Sequence, residues 1–266
     1  MTKTITIDSQ LCTQCGNCLL ACNTMLIKSP DDGVPQPIEN AGDTCISCGH
    51  CVAACEVGAI SVDAITPDSS PMLDNDALPS YEQFDKLVRT RRSIRHFKKQ
   101  PVDRAKIEQL LDTVRWAPSA RNLLPVKWLV VNNPDAVREL ASLVVDWCRP
   151  IEMFQHVIKK WDSGIDVVLR GAPCLLIAYT DPDAMWGDID ATIAIETLDL
   201  AATTMNLGAC WAGYFIVGSR NNPQINERLG LPGDRTIRAA IMLGEVADES
   251  YSRVPFRPKA PVRWVD

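Results

Sequence analysis

Hydrophobic and polar residues follow helical spacing over much of residues 81–266. Ser80 followed by Gln83 forms a capping box and predicts a helix that runs toward Arg92. Asp103 precedes a second predicted helix, whose apolar residues keep helical spacing: Ile107, Leu110, Leu111 and Val114. Further helical segments are predicted over about 134–170.

Short apolar runs between these helices predict buried strands. They cover 128–131 and 174–179, and two more strands are predicted at about 209–215 and 236–246. Residues 188–207 are apolar on all sides and predict a buried helix, central or at a subunit contact, with Gly208 as its C′ glycine. The pattern therefore favours a mixed α/β or α+β layer with a helical majority.

A segment with neither the spacing of a helix nor an apolar run typical of a strand separates this region from the N-terminal part of the chain. Residues 64–80 contain three prolines and many polar residues, which is typical of a linker. We therefore predict an N-terminal domain over 1–66, a linker over 67–80 and a second domain over 81–266.

The N-terminal region is dominated by cysteine. Eight of the eleven cysteines form two runs of identical spacing, Cys12-x2-Cys15-x2-Cys18-x3-Cys22 and Cys45-x2-Cys48-x2-Cys51-x3-Cys55. Disulfides are disfavoured, because no secretion signal precedes the runs and the cytosol is reducing. Zinc is the stronger rival, but a tetrahedral zinc site needs two Cys-x2-Cys pairs and does not explain the third cysteine of each run.

An iron–sulfur cube explains the complete spacing. Three close thiolates bind one [4Fe–4S] cluster, and the fourth cysteine of each run binds the other cluster. One cluster should use Cys12, Cys15, Cys18 and Cys55, and the other should use Cys45, Cys48, Cys51 and Cys22. The pattern resembles bacterial two-cluster ferredoxins over about residues 1–66, although Asn23 and Glu56 replace the proline that usually follows each run. Gly16 and Gly49 suit the tight backbone between ligands, and His50 is expected at the surface.

The distribution of charged residues limits the kinds of partner that the protein can bind. Residues 1–70 carry two lysines and eight acidic residues, whereas the remainder is electrically balanced. The acidic head is either a docking surface for a basic partner or an ordinary solvated surface. The chain begins without an apolar signal core, and no apolar run approaches the roughly 18 residues of a membrane helix. We expect a cytoplasmic protein that binds neither membrane nor nucleic acid.

Residues 86–99 contain seven basic residues and no acid. These basic residues do not favour a nucleic-acid site, because no aromatic residues for base stacking accompany them. A phosphate site is the better interpretation of Arg91, Ser93 and Arg95, because guanidinium groups and a hydroxyl match phosphate oxygens.

Four ordered motifs over about 81–266 resemble the nitroreductase family. The first two are Arg91-Arg92-Ser93-Ile94-Arg95-x-Phe97 and Ala117-Pro118-Ser119-Ala120-Arg121-Asn122-x-x-Pro125. The third is the helix at 188–207 followed by Leu207-Gly208-Ala209-Cys210-Trp211-Ala212-Gly213, and the fourth is the tail Tyr251-x-Arg253-Val254-Pro255-x-Arg257-(x4)-Val262-x-Trp264. Each motif alone is weak to moderate evidence, but four in order beside the cysteine domain are specific.

This resemblance implies an α+β fold with a mainly antiparallel central sheet, and FMN bound at a homodimer interface. Arg91, Arg92 and Ser93 would hold phosphate or ribityl oxygens, and Arg95 would lie near the pyrimidine edge of the flavin. The other implied contacts are Pro118, Ser119 and Asn122 from the neighbouring subunit, the backbone of Ala212 and Gly213 at flavin N5, and Arg257 and Lys259 of the tail. An ordinary strand glycine is the alternative for Gly213.

Two departures leave the substrate open. Leu124 stands where the family commonly has glutamine, and Val126 where it commonly has an aromatic residue.

The expected function is a flavoprotein oxidoreductase that passes electrons through two clusters to FMN and on to a nitroaromatic, quinone or activated double bond. The donor is either a one-electron protein donor or NAD(P)H. An electron-relay module and a nucleic-acid-binding iron–sulfur protein are the competing classes. No acid/base residue is assigned, and Cys148, Cys174 and Cys210 are expected to be buried hydrophobes.

Overall fold

The structure, a computed structural model, describes residues 2–30, 33–247 and 251–265. Contacts between Cα atoms divide the chain into two compact units. The first comprises residues 1–78 and Arg121–Leu123, and the second comprises 79–120 and 124–266. The predicted bounds of 1–66 and 81–266 stay predictions. The short segment Arg121–Leu123 was not expected in the first unit.

The first unit consists of two short strand pairs and three short helices. Strands β1 and β4 pair in antiparallel fashion, as do β2 and β3. Each cysteine run leads into one helix, α1 or α3. In chain order the elements are β1 (Ile5–Ile7), α1 (Asn17–Ala21), β2 (Ile27–Lys28), β3 (Gln36–Pro37), α2 (Ala41–Thr44), α3 (His50–Ala53) and β4 (Ile60–Val62).

The second unit places helices on both faces of a four-stranded antiparallel sheet. The strand order is β5-β6-β8-β7. In chain order the elements are α4 (Tyr81–Thr90), α5 (Arg104–Val114), β5 (Lys127–Val131), α6 (Pro134–Cys148), α7 (Gln155–Asp162), β6 (Cys174–Thr180), α8 (Gly187–Thr204), β7 (Leu207–Trp211), α9 (Gly213–Asn221), α10 (Pro223–Arg228) and β8 (Thr236–Glu245). The predicted α+β class and antiparallel sheet are confirmed.

The predicted helix starts agree with the observed caps. The Ser80 side chain accepts a hydrogen bond from the N–H of Gln83, and the Gln83 Oε1 accepts one from the N–H of Ser80. The Asp103 side chain accepts from the N–H of Ala105 and caps α5. Both helices therefore begin where local side-chain acceptors satisfy their first free N–H groups.

Two predicted boundaries at the third motif are wrong. Helix α8 ends at Thr204, and Asn206 rather than Gly208 takes the left-handed conformation after it, with φ 56°. The strand predicted at 209–215 covers Leu207–Trp211, because Gly213 already begins α9. Gly208 therefore lies inside β7, where a Cβ would stand 2.6 Å from Ile94 Cγ2. It permits close packing rather than a turn.

Apolar side chains fill both faces of the sheet. One face packs against α6, α7, α9 and α10, and the other packs against α5 and α8. The three later cysteines are buried at these faces as predicted: Cys148, Cys174 and Cys210. Helix α8 buries one face only, since Ile189 on the other face is 52% exposed. Within the described residues, no helix combines the length and apolar character needed to cross a membrane.

Candidate functional site

In the first unit, the fourth cysteine of one run lies with the first three cysteines of the other run. Cys12, Cys15 and Cys18 line one cavity together with Cys55, the fourth cysteine of the other run. The pKa of the Cys18 thiol is raised by burial and then by the charges of Cys12, Cys55 and Cys15. The fourth cysteine thus lies with the opposite run, in the set that the crossed arrangement requires.

The second set of proposed ligands comprises Cys45, Cys48, Cys51 and Cys22. Burial, together with the charges of Cys22 and Cys48, raises the pKa of the Cys51 thiol to about 11. Cys22 is therefore near enough to Cys51 for its charge to act on that thiol. Cys22, Cys45 and Cys51 pack in one apolar cluster with Ile27 and Ile60, and Cys18 and Cys55 of the first set pack against the same cluster.

Backbone N–H groups point at several of these sulfurs. The N–H of Leu26 donates to Cys22 Sγ at 3.3 Å, and the N–H of Ala59 donates to Cys55 Sγ at 3.2 Å. Gly16 and Gly49 have φ values of 77° and 73°, which glycine adopts without steric cost. His50 is exposed, as predicted. This donor set suits thiolate ligands with amide-to-sulfur hydrogen bonds.

A site for a single metal ion and a site for an iron–sulfur cluster need different arrangements of ligands. In the described parts of the chain, no group of three or more His, Cys, Asp or Glu side chains is arranged to hold one ion. A cubane is larger than one ion, and its thiolates bind separate iron corners.

In the second unit, the basic segment is anchored by an ion pair that the sequence analysis missed. Arg91 Nη1 lies 3.0 Å from Asp199 Oδ2, and Asp199 is only 8% exposed on α8. Burial raises the pKa of the Asp199 carboxyl to about 6, while the Arg91 charge lowers it by less and Glu196 raises it. An acid within an otherwise apolar helix is the sequence signal that could have identified this partner.

Backbone pairing holds the next residues of the same motif against β7. Ser93 forms a parallel bridge with Ala209, and the N–H of Ile94 donates to the Ala209 carbonyl at 2.9 Å. Gly208 allows this approach, as noted above. The first and third predicted motifs are therefore adjacent in space.

The other two arginines of the motif have local partners. The Arg92 guanidinium donates to the carbonyl of Arg89. Arg95 donates to the Ser93 carbonyl at 3.2 Å, and its side chain is exposed. Arg91 is mostly buried, with 18% of its side chain exposed.

The second motif is split between the two units. In the second unit, Ser119 Oγ accepts from the N–H of Leu124 at 2.9 Å, and Pro118 is exposed. The buried carboxyl of Asp190 accepts from the Ala120 N–H at 3.0 Å. Asn122 belongs to the first unit, and its side-chain amide donates to the carbonyls of Ser47 and Ile46 at 3.1 and 3.5 Å. The flavin contact predicted for Asn122 stays a prediction.

The turn after β7 leads into the first turn of α9, where the N–H groups of Gly213, Tyr214 and Phe215 precede the first helix hydrogen bond. The N–H of Ala212 donates to the Ala240 carbonyl, and its carbonyl accepts from Ile216, so both groups are used within the protein. Gly213 is the first residue of α9, and its N–H lies outside the hydrogen-bond ladder of the helix. A Cβ on Gly213 would meet Trp211 at an ordinary 3.7 Å. Packing within the chain therefore does not require this glycine.

The tail residues are not joined to this site within one chain. Arg257 and Lys259 are exposed in a segment without helix or strand, and no hydrogen bond or ion pair links either to another described residue. Their predicted flavin contacts stay predictions.

Most of the second unit matches a known protein family. Residues 88–245 match the nitroreductase family. The chain belongs to the nitroreductase family. Residues 11–60 match the 4Fe-4S dicluster domain, which agrees with the cysteine grouping in the first unit.

Relatives of this nitroreductase-family chain differ in their named activities. The chain is 27% identical over 203 residues to a 5,6-dimethylbenzimidazole synthase of Rhodobacter capsulatus, covering 69% of this chain and 95% of that protein. It is 28% identical over 204 residues to a 4-nitrobenzoate reductase of Pseudomonas putida, covering 64% and 87%. A crystal structure of an FMN-bound nitroreductase from Bacteroides fragilis aligns with a TM-score of 0.60 at 20% identity, over 68% of this chain and 97% of that one. The structural likeness shows the fold.

We predict that Asp199→Asn removes a pH-dependent loss of stability. The pKa of Asp199 is raised on folding from 3.8 to about 6, so the folded state holds the proton more tightly than the unfolded state. The corresponding stabilisation, on the order of 3 kcal/mol, is present below pH 4 and is lost as pH rises through 6. The free energy of unfolding of Asp199→Asn relative to wild type should therefore increase between pH 4 and 6.5.

The measurement is urea unfolding of the flavin-free protein at several pH values, with the exposed Asp112→Asn variant as control. Curves for Asp199→Asn and wild type that run parallel over this range would contradict the assignment.

Proposed function

We propose that this nitroreductase-family chain is an iron–sulfur flavoprotein oxidoreductase. It takes up electrons singly at two [4Fe–4S] clusters and delivers them in pairs, by way of FMN, to a small organic acceptor. The acceptor class is a nitroaromatic, a quinone or an activated double bond. The observations that carry the proposal are the cavity lined by Cys12, Cys15, Cys18 and Cys55 in the first unit and the nitroreductase family match over residues 88–245.

Backbone hydrogen bonds to cysteine sulfur in the first unit support two clusters. The proposed ligands of one cluster are Cys12, Cys15, Cys18 and Cys55, and those of the other are Cys45, Cys48, Cys51 and Cys22. Each fourth cysteine accepts a backbone N–H bond from the residue four positions later. Such N–H groups stabilise the negative charge of thiolate ligands and contribute to the cluster potential.

Single-electron donation explains why clusters accompany a flavin. A hydride from NAD(P)H already carries two electrons, so direct hydride transfer requires no iron–sulfur chain. The acidic character of residues 1–70 favours a basic one-electron protein donor that docks on the first unit. Direct NAD(P)H oxidation is the second candidate, because an FMN reductase [NAD(P)H] of Bacillus subtilis is 25% identical over 186 residues.

The second unit offers groups that fit FMN. Arg91 and Ser93 supply a cation and a hydroxyl for phosphate, and Arg92 adds a second guanidinium to the same segment. Asp199 Oδ1 is buried and has no hydrogen-bond partner among the described residues, so a ribityl hydroxyl could donate to it. Arg95 provides a cation for the pyrimidine edge. FMN, when bound, supplies the hydride or electron transfer itself.

The Gly213 N–H is the proposed backbone donor at flavin N5, because both backbone groups of Ala212 are already paired. The names of relatives support a nitro compound as one acceptor class. The exposed and apolar Leu124, where the family commonly has glutamine, favours an acceptor with an apolar body.

Exposed apolar surface in the second unit supports a homodimer. Helix α4 has no buried residue, and its apolar residues Tyr81, Phe84 and Val88 share one face and are 75%, 50% and 43% exposed. In the tail, Phe256 and Trp264 are 90% and 83% exposed. Apolar surface on this scale is typical of an obligate interface. In such a dimer, Pro118 and Ser119 of one subunit and Arg257 and Lys259 of the tail would complete the FMN site.

Cofactor content tests the proposal first. After anaerobic preparation, the chain should contain about eight iron and eight sulfide per FMN, since each cubane holds four of each. Cys18→Ser should lose or degrade one cluster and retain much of the other, measured by iron, sulfide and EPR analysis. Cys148→Ser, which removes a buried cysteine outside both sets, is the control. Two zinc ions per chain without iron would refute the cluster assignment.

Arg91→Ala should weaken FMN binding about ten- to a hundredfold. The change removes a charge-assisted phosphate contact worth about 1.5–3 kcal/mol. Flavin fluorescence titration of the flavin-free protein measures the dissociation constant. Arg89→Ala is the matched control, because Arg89 is an exposed cation of the same segment that pairs with Asp85. Equal FMN affinity in Arg91→Ala and wild type would show that the phosphate binds elsewhere.

A further inference from the structure

Asn122 carries a contact that its predicted role at the flavin does not explain. Its segment, Arg121–Leu123, belongs to the first unit. The side-chain Nδ2 donates to the Ser47 carbonyl at 3.1 Å and, with a longer contact of 3.5 Å, to the Ile46 carbonyl. Ile46 and Ser47 are the two residues between Cys45 and Cys48, so the amide is bonded to the loop that joins two proposed ligands.

The bonded loop has an unusual backbone conformation. Ser47 has φ 49°, in the left-handed region that residues other than glycine seldom adopt. Its hydroxyl is buried and has no hydrogen-bond partner among the described residues. The Asn122 amide adds a side-chain restraint to this loop conformation.

The geometry of the peptide bond gives this restraint a consequence for the cluster. In a trans peptide the C=O and N–H groups point in opposite directions. A Ser47 carbonyl fixed on Asn122 therefore holds the N–H of Cys48 on the other side of the loop. N–H groups directed at cluster sulfur stabilise the more negative, reduced cluster and raise its potential.

In the first cysteine run, no side-chain amide among the described residues restrains the corresponding loop. Its corresponding residues are Thr13 and Gln14, and Gln14 has a similar φ of 58°. Within the described residues, no side chain donates a hydrogen bond to either of their carbonyls. The two cysteine runs are thus alike in spacing and backbone conformation but differ in this one side-chain restraint.

We propose that Asn122 is a positioning residue for the cluster bound by Cys45, Cys48, Cys51 and Cys22. It holds the Ser47–Cys48 peptide so that the potential of this cluster lies above the value that the loop alone would give. The other cluster is independent of Asn122. This inference rests on the proposed presence of two clusters, and it goes beyond the flavin contact expected from the second motif.

The test compares Asn122→Gly and Asn122→Ala with wild type in the fully loaded protein. Asn122 has φ 54°, so glycine relaxes the backbone and alanine strains it, while both remove the amide. EPR-monitored redox titration resolves the two clusters, and a Cys48→Ser variant identifies which signal belongs to the second set. Asn206→Gly is the matched control, because Asn206 is an exposed asparagine with φ 56° in the second unit.

Both Asn122 variants should shift the potential of the second-set cluster to more negative values and leave the other cluster unchanged. Selective loss of the second-set cluster in both variants, with Asn206→Gly intact, would also support the proposal. Unchanged potentials, or parallel changes in both clusters, would overturn it. Wild-type protein that binds no iron would instead refute the proposed function, so the two failures are distinguishable.

Discussion

The ion pair between Arg91 and Asp199 is the interaction on which the proposed flavin site depends. It joins the basic segment to α8, and the backbone bond from Ile94 to Ala209 continues the attachment along β7. A buried pair is costly to break because removal of one partner leaves the other charge desolvated. The raised pKa of Asp199 shows that burial outweighs the attraction of Arg91 in this pair. The segment is therefore fixed in place with one carboxylate oxygen still unpaired.

Local patterns predicted those features that neighbouring residues determine. The caps at Ser80 and Asp103 depend on side chains within three residues, and the structure confirms both. The cysteine spacing predicted an iron–sulfur domain because iron–sulfur ligation has a strict pattern, and the match over residues 11–60 supports it; the two sets of four ligands stay a prediction. Family motifs predicted the fold of the second unit, which the match over residues 88–245 confirms.

Features that depend on distant residues were missed. Gly208 was interpreted as a helix stop, but it lies in β7, where Ile94 packs closely against it. The same region was assigned too long a strand, since apolar residues of α9 continue the pattern of β7. Asp199 and Asn122 have partners 108 and 75 residues away in sequence. Spacing within a short window contains no information on such pairs.

Anaerobic stopped-flow reduction of FMN tests the central claim, that electrons enter singly through the clusters. Reduced ferredoxin and NAD(P)H are each mixed with wild type and with a Cys18→Ser/Cys48→Ser variant that retains FMN but lacks clusters. The account predicts that ferredoxin reduces FMN in wild type and that this reduction is lost in the variant. Rapid reduction by NAD(P)H in both proteins, with no reduction by ferredoxin in either, would contradict it.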